Sequence, residues 1–230
     1  MNDKPLVQVP ALNGSEPHLA FTAAETKWLA EWVLKTKKAE TDRFLSAIHS
    51  WRLACFSSDL AVSGDIYVNP EGKTKHRAVW DGPTFCGGPI FRWLSTTFMP
   101  ILKTPVKGGP PNKAVIFAPL PGQTYLLVWW LRAFYPEVEA YHFLSLLSQK
   151  ERQTTIDQFD ATKKPSVLIL TPAVGGTGLN LVAANHVVIL QKFWNLNEQR
   201  QAVARIHRLG QMRTAPAWVL HCVGGIDNRA

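Results

Sequence analysis

The chain has 230 residues, of which 46% are hydrophobic and 18% are charged. That much apolar surface supports a packed core and excludes a disordered chain, while the length fits one domain with an appendage, or two small domains, and excludes a large multidomain assembly. Its 25 Lys and Arg residues exceed its 17 Asp and Glu residues, giving a net charge of +8 that favours an anionic partner.

The first part of the chain is predicted to be mostly helical. Thr22 and Glu25 have the spacing of a capping box, in which each side chain bonds the other residue's backbone N–H at the start of a helix. The pattern predicts a helix to about residue 38, a second through residues 44–53, a loop-rich insertion over residues 57–88 and a third helix over residues 91–102. Residues 1–111 are therefore expected to form a helical lead-in, or protrusion, with a loop-rich insertion.

A stretch with two glycines and three prolines, residues 105–112, breaks both helix and strand and predicts a domain junction. Beyond it, short apolar runs alternate with helical patterns. The runs are 114–118, 138–143, 167–170, 187–190 and 218–222; the helices are 123–134, 149–159 and 196–209. This order predicts an α/β domain over residues 112–230, with a doubly wound parallel sheet that binds ligands at the carboxyl ends of its strands.

A glycine cluster follows the predicted strand 167–170. Backbone amides at such a position approach a phosphate closely, and the polar side chains of Thr171, Thr177 and Asn180 add possible contacts. The alternative is a tight strand-to-helix turn without a ligand. The glycines are Gly175, Gly176 and Gly178.

The predicted helix 196–209 carries a polar stripe. At about 100° per residue, Gln201, Arg205 and Arg208 fall within roughly 60° of one another. Two guanidinium groups a turn apart offer paired donors to a phosphate, as in an arginine finger; the alternative is a solvated basic face. The opposite side carries apolar residues expected to bury against the sheet: Leu196, Val203 and Ile206.

Several kinds of site are excluded by what the sequence lacks. Residues 71–74 end like a phosphate-binding P-loop, but Tyr67 stands where the first glycine is required, and no Asp-Glu pair ends an apolar strand. The longest uninterrupted apolar run, residues 125–131, is far too short to cross a membrane, and no metal site is predicted. Three separated cysteines, Cys55, Cys86 and Cys222, suggest a reducing compartment rather than disulfides or zinc.

Four segments, in order, resemble motifs of the second RecA-like lobe of Swi/Snf-type helicase-like ATPases, a branch of helicase superfamily two. Segment 113–118 resembles the fourth motif, 149–159 the helix entry that follows it, and 171–181 the fifth motif. The sixth motif is similar to Gln201-Ala-x-x-Arg205-x-His-Arg208-x-Gly-Gln211. Two upstream segments, 51–55 and 89–94, resemble the helical segments that lead into this lobe.

The resemblance implies roles for these residues. Arg205 and Arg208 would be arginine fingers for the γ-phosphate of ATP, with Gln201 orienting in the same cleft. The resemblance places Gly178 and Asn180 near the nucleotide. It places another set against the backbone of double-stranded DNA or chromatin: Thr171, Gly175, Gly176 and Thr177. It further implies a nuclear location, and binding to DNA that is salt-sensitive and independent of sequence.

The chain also departs from the family pattern. Gln191 stands where the family usually has Asp, and Leu196 where it usually has Pro. The P-loop and the magnesium-binding carboxylates belong to a first RecA-like lobe, in cis or in trans, so this chain is not expected to hydrolyse ATP by itself. Two alternatives stay open: an orphan lobe that binds DNA or docks on another ATPase as a regulator, and a decayed pseudoenzyme.

Overall fold

A computed structural model describes residues 14–27, 55, 87–106, 108–175 and 179–222. Several predicted features lie outside these ranges: residues 28–38 of the first helix, the second helix 44–53, residues 57–86 of the insertion with the P-loop-like residues 71–74, and the site residues Gly176, Thr177 and Gly178. The strands are β1 (Gly14–Ser15), β2 (His18–Leu19), β3 (Lys113–Phe117), β4 (Glu139–Phe143), β5 (Ser166–Leu170), β6 (His186–Ile189), β7 (Ala217–Val219) and β8 (His221–Cys222).

The helices alternate with these strands as the sequence predicted. The third lead-in helix is continuous but changes pitch, with a π-helical turn, Leu94–Phe98, between two α-helical pieces. The helices are α1 (Pro89–Trp93), α2 (Met99–Lys103), α3 (Pro121–Phe134), α4 (Gln149–Ala161), α5 (Pro172–Gly175) and α6 (Leu196–Ala204). No helix in the described ranges is both long and apolar enough to cross a membrane.

Six strands form one sheet in the order β1-β7-β6-β3-β5-β4, and every strand pair in it is parallel. β3 lies at its centre, with Val115 opposite Leu168 on one side and Val187 on the other. The predicted RecA-like, doubly wound parallel sheet is confirmed. Parallel sheets are covered on both faces, which explains why β3 and β5 are buried at every residue.

Alternate residues of the central strands enter two separate cores. Ile116 packs on the face covered by α1, α2 and α3, together with Leu127. Phe117 packs on the other face, with Phe159 of α4 and Ile206 after α6. The lead-in helix therefore shares a core with the sheet, while the division of the chain at residue 111 stays a prediction.

Both predicted capping boxes form. At the first, the Thr22 N–H donates to Glu25 Oε2 at 2.5 Å and the Glu25 N–H donates to Thr22 Oγ1 at 3.2 Å. At the second, Ser148 and Glu151 make the same exchange, at 2.8 and 3.3 Å, and start α4. Each side chain satisfies a backbone donor that the first helical turn leaves unpaired, which is why the spacing marked both helix starts.

The N-terminal strands were not predicted. β1 pairs with β7 and extends the six-stranded sheet, whereas β2 pairs with β8 in a separate two-stranded sheet. Arg92 of α1 fixes the segment that follows, because its guanidinium binds both carboxylate oxygens of Glu25 at 2.8 and 3.0 Å and the Ala20 carbonyl at 3.1 Å. Two-residue strands are too short to show an alternating pattern, so nothing in the sequence predicts them.

The prediction that one helix spans residues 196–209 was wrong. α6 ends at Ala204, and the Arg205 carbonyl accepts the Leu181 N–H at 3.1 Å instead of continuing the helix. The chain then passes through tight turns to Gly210, whose φ of +100° is open to glycine but strained for other residues. These turns bury Ile206 completely, which offsets the lost helical hydrogen bonds.

Candidate functional site

The carboxyl edge of the sheet carries a groove of about 600 Å³. Thr171 follows β5 directly and Pro119 follows β3, so the two residues meet where neighbouring parallel strands end. Gln201 reaches the same groove from α6. Its lining includes Pro119, Thr171, Pro172, Glu198, Gln201 and Ala202. The structure therefore brings together Thr171 and Gln201, which the sequence had assigned to different segments of the site.

A second groove, of about 820 Å³, lies beside α4. Asn180 and Leu179 form one wall of it, and the first two turns of α4 form the other, through Gln149, Arg152 and Gln153. The capping box at Ser148 orients this first turn. Asn180 thus lines a different groove from Thr171 and Gln201.

The two arginines do not lie on one helical stripe as predicted. Arg205 caps the carboxyl end of α6 and is half-buried, whereas Arg208 lies in the turn beyond it and is exposed. The 100° per residue that placed Arg208 beside Gln201 holds only within a helix, so it does not apply past Ala204. A backbone hydrogen bond joins the two segments. The N–H of Leu181, the residue after Asn180, donates to the Arg205 carbonyl.

The prediction of an apolar face on this helix is confirmed only in part. Ile206 is fully buried and Val203 packs against the same core. Leu196 is 48% exposed, because it is the first residue of α6 and stands with the exposed Trp194 beyond the end of β6. Gln191, at the first of the departures from the family pattern, is fully buried at the end of that strand.

His142, on β4, is a half-buried group near this edge that does not act as a base near neutral pH. Burial, with the charge of Arg132, lowers the pKa of His142 to about 4. Its Nε2 lies 2.7 Å from Thr124 Oγ1, and its ring meets the Tyr125 ring edge-on at 4.5 Å. His142 is therefore neutral and fastens β4 to α3.

Among the residues that the structure describes, no three His, Cys, Asp or Glu side chains cluster in a way that could hold a metal ion. The polar groups at the site suit an anion instead. Asn180, Gln201 and Arg208 are all exposed, so their amide and guanidinium donors are accessible to a phosphate. The three side chains do not share one groove, since Gln201 lines the groove with Thr171 and Asn180 lines the groove beside α4.

Sequence reasoning missed Glu198, Pro119 and the wall formed by α4. Glu198 lies three residues before Gln201 on α6, a spacing that puts both side chains on one side of a helix and could have revealed it. Pro119 follows an apolar strand, where ligands of parallel sheets bind. Arg152 had no comparable signal, since only the tertiary fold places α4 opposite Asn180.

Comparison with known proteins identifies this arrangement. Residues 99–210 match the helicase conserved C-terminal domain family. A crystal structure of the C-terminal part of the Fun30 ATPase domain superposes with a TM-score of 0.74 at 19% identity, covering 96% of this chain and 88% of that one. The Sulfolobus solfataricus SWI2/SNF2 ATPase core in complex with dsDNA gives a TM-score of 0.65 at 17% identity, covering 94% of this chain and 42% of that one.

The fold and the family match define the C-terminal RecA-like lobe of a helicase. DNA repair protein RAD5B of Arabidopsis thaliana is 36% identical over 108 residues, which are 47% of this chain and 8% of that protein. The predicted resemblance to the C-terminal lobe of Swi/Snf-type superfamily two helicase-like ATPases is thereby confirmed. This chain spans only about a tenth of the length of the first curated relatives that it matches.

Proposed function

We propose that this chain is the second lobe of a Swi/Snf-like ATP-dependent DNA translocase or chromatin remodeller. The observation that carries the proposal is the Leu181–Arg205 backbone hydrogen bond, which holds the segment with Asn180 against the segment with the two arginines. Residues expected to meet a nucleotide are thereby kept adjacent even though the helix ends before Arg208.

In this proposal Arg205 and Arg208 act as arginine fingers. A guanidinium near the γ-phosphate neutralises the negative charge that develops during phosphoryl transfer, and the bound Mg²⁺ supplies a second positive charge. Gln201 orients within the cleft, while Gly178 and Asn180 approach the nucleotide. ATP and its Mg²⁺ are held mainly by the first RecA-like lobe, so this chain alone does not hydrolyse ATP.

The proposed contacts with DNA involve Thr171 and the glycine cluster that follows β5. Thr171, Gly175, Gly176 and Thr177 contact the phosphate backbone of double-stranded DNA, since hydroxyls and glycine amides are suitable donors to phosphate. A solved relative of the same fold is described as a complex with dsDNA, and the net charge of +8 favours such a partner. DNA repair and transcription proteins among the relatives make a nuclear location part of the proposal.

The test combines this chain with a separately purified first RecA-like lobe of the Swi/Snf type and measures ATP hydrolysis with and without duplex DNA. We expect DNA-stimulated hydrolysis only in the mixture. Arg208→Ala should lower the rate by at least about a thousandfold, the usual contribution of an arginine finger. Arg200→Ala is the matched control, because Arg200 is an exposed arginine on α6, eight residues before Arg208, and has no proposed role.

Two results would contradict the proposal: hydrolysis by the chain alone that Arg208→Ala abolishes, or a mixture in which Arg208→Ala is as active as the control. A third result would favour the alternative function. If the mixture is inactive but the chain binds duplex DNA with a salt-dependent affinity that ATP does not change, then the chain is a DNA-binding regulatory lobe without ATPase activity.

A further inference from the structure

The turn that carries Arg208 has few apolar contacts of its own. After the fully buried Ile206, Leu209 is 62% exposed and Met212 is 88% exposed. Hydrophobic burial holds a segment only where side chains leave water, so it cannot fix the position of this turn beyond residue 206. Some other interaction must hold it.

Gln211 makes that interaction from inside the protein. Its side chain is buried, with the residue only 3% exposed, and Nε2 lies within hydrogen-bond distance of three carbonyls. They belong to Val182 at 3.2 Å, Ala184 at 2.7 Å and Ile206 at 3.3 Å. One amide group thus joins the turn after α6 to the segment after the glycine cluster.

Arg213 adds a charged donor to the same backbone. It donates to the Ala183 carbonyl at 2.8 Å and to the Pro111 carbonyl at 3.1 Å, and its own N–H donates to Gln211 Oε1 at 3.0 Å. Its planar, forked guanidinium donates to the two carbonyls through two different nitrogens in a fixed geometry, which a lysine ammonium does not reproduce. Gln211 and Arg213 together are called the latch below.

We propose that the latch positions the two arginines, Arg205 and Arg208, relative to Asn180. Val182, Ala183 and Ala184 follow directly after Leu181, whose N–H binds the Arg205 carbonyl. The latch therefore holds both sides of that hydrogen bond, and with it the distance between Arg205 and Asn180. Gln211 and Arg213 touch no proposed ligand, so they are positioning residues. Their catalytic consequence rests on the proposed function; their effect on the local structure does not.

The first measurement is residue-resolved amide hydrogen exchange on the intact chain. In Arg213→Gln, the Leu181 amide should exchange at least about tenfold faster, since a charged donor to buried carbonyls stabilises by about that factor. Amides of the central strands, such as those of Val115 and Ile169, exchange through global unfolding, so they report any loss of overall stability. Arg200→Gln, at an exposed arginine on α6, should change neither.

Thr22→Ala separates local from overall effects, because it removes a helix cap that the latch does not contact. It should accelerate exchange in the central strands and leave the Leu181 amide unchanged. Equal acceleration of the Leu181 amide in Thr22→Ala and Arg213→Gln would overturn the proposal, because that amide would then report only overall stability. An unchanged Leu181 amide in Arg213→Gln would overturn it as well. If Arg213→Gln does not fold, Arg213→Lys replaces it, since lysine keeps the charge but not the forked geometry. Faster exchange at Leu181 in Arg213→Lys than in Thr22→Ala supports the latch, and no acceleration there refutes it.

The second measurement is the ATPase assay with the first lobe. Misplaced arginines weaken stabilisation of the transition state more than ground-state binding of ATP, so Arg213→Gln should lower kcat at least about tenfold and leave KM within about twofold. A rise in KM with unchanged kcat would overturn the positioning role. If the proposed function is wrong, the unmodified mixture has no ATPase activity, but the hydrogen-exchange experiment still tests the latch. The two failures are therefore distinguishable.

Discussion

Removing the imidazole of His186 is expected to make the protein less sensitive to acid. His186 lies on β6, 6% exposed, with Trp218 at 5.4 Å and Phe98 at 6.2 Å between ring centroids. Its buried Nδ1 has no hydrogen-bond partner. Burial, with a smaller effect of the Arg213 charge, lowers the pKa of His186 from 6.5 to about 4.

The size of the effect follows from the two protonation equilibria. The folded protein keeps His186 neutral down to about pH 4, whereas the unfolded chain begins to bind a proton near pH 6.5. The stabilising contribution of the neutral His186 side chain is therefore fully present above pH 6.5 and is lost as the pH falls toward the folded-state pKa of about 4. Between about pH 7.5 and pH 5 the free energy of unfolding should fall by about 2 kcal/mol from this group alone.

The assay is urea unfolding of the wild type and His186→Phe at both pH values. Phenylalanine keeps a ring between Trp218 and Phe98 but cannot bind a proton. The wild type should lose about 2 kcal/mol more than the variant on acidification. Every other titrating group, including His142, is common to both proteins and cancels in the comparison. Identical pH dependence in the two proteins would refute the reasoning.

Two further predictions concern α4. Lys113→Met should destabilise the protein by about 3 kcal/mol in urea unfolding, since it removes a buried ammonium that donates at 2.7 Å to two carbonyls at the end of α4. Lys164→Met, at an exposed lysine, should change stability by less than about 0.5 kcal/mol, and an equal loss in both variants would show that the carbonyl contacts do not matter. Ser148→Ala should cost about 1 kcal/mol through the lost helix cap, whereas Ser145→Ala should be nearly neutral; thermal unfolding that ranks them the other way would contradict this.

Much of the fold could be predicted from local patterns. The apolar runs that became β3 and β5 are fully buried, and continuous runs of that kind occur in parallel sheets covered by helices. The capping boxes at Thr22 and Ser148 marked helix starts, because capping is a contact between residues three apart in the sequence.

The geometry of the site was less accessible to sequence reasoning. Gln201 was correctly placed on a helix. The end of α6 at Ala204 was not predicted, because no proline or glycine marks it. The helix ends where the Arg205 carbonyl binds Leu181, a residue 24 positions earlier, and where Ile206 turns into the core. A contact between distant residues leaves no local signal in either segment.

The sequence by itself determined a doubly wound α/β domain and the residue types that could contact a phosphate, since these follow from spacing and local periodicity, and the resemblance of its motifs implied a RecA-like lobe. The tertiary structure alone decided which of these residues are neighbours. It placed Thr171 with Gln201 in one groove and Asn180 beside α4 in another. It also joined Gln211 and Arg213 to carbonyls about 30 residues earlier. Hydrogen bonds and burial act through space, so only the folded chain fixes such pairs.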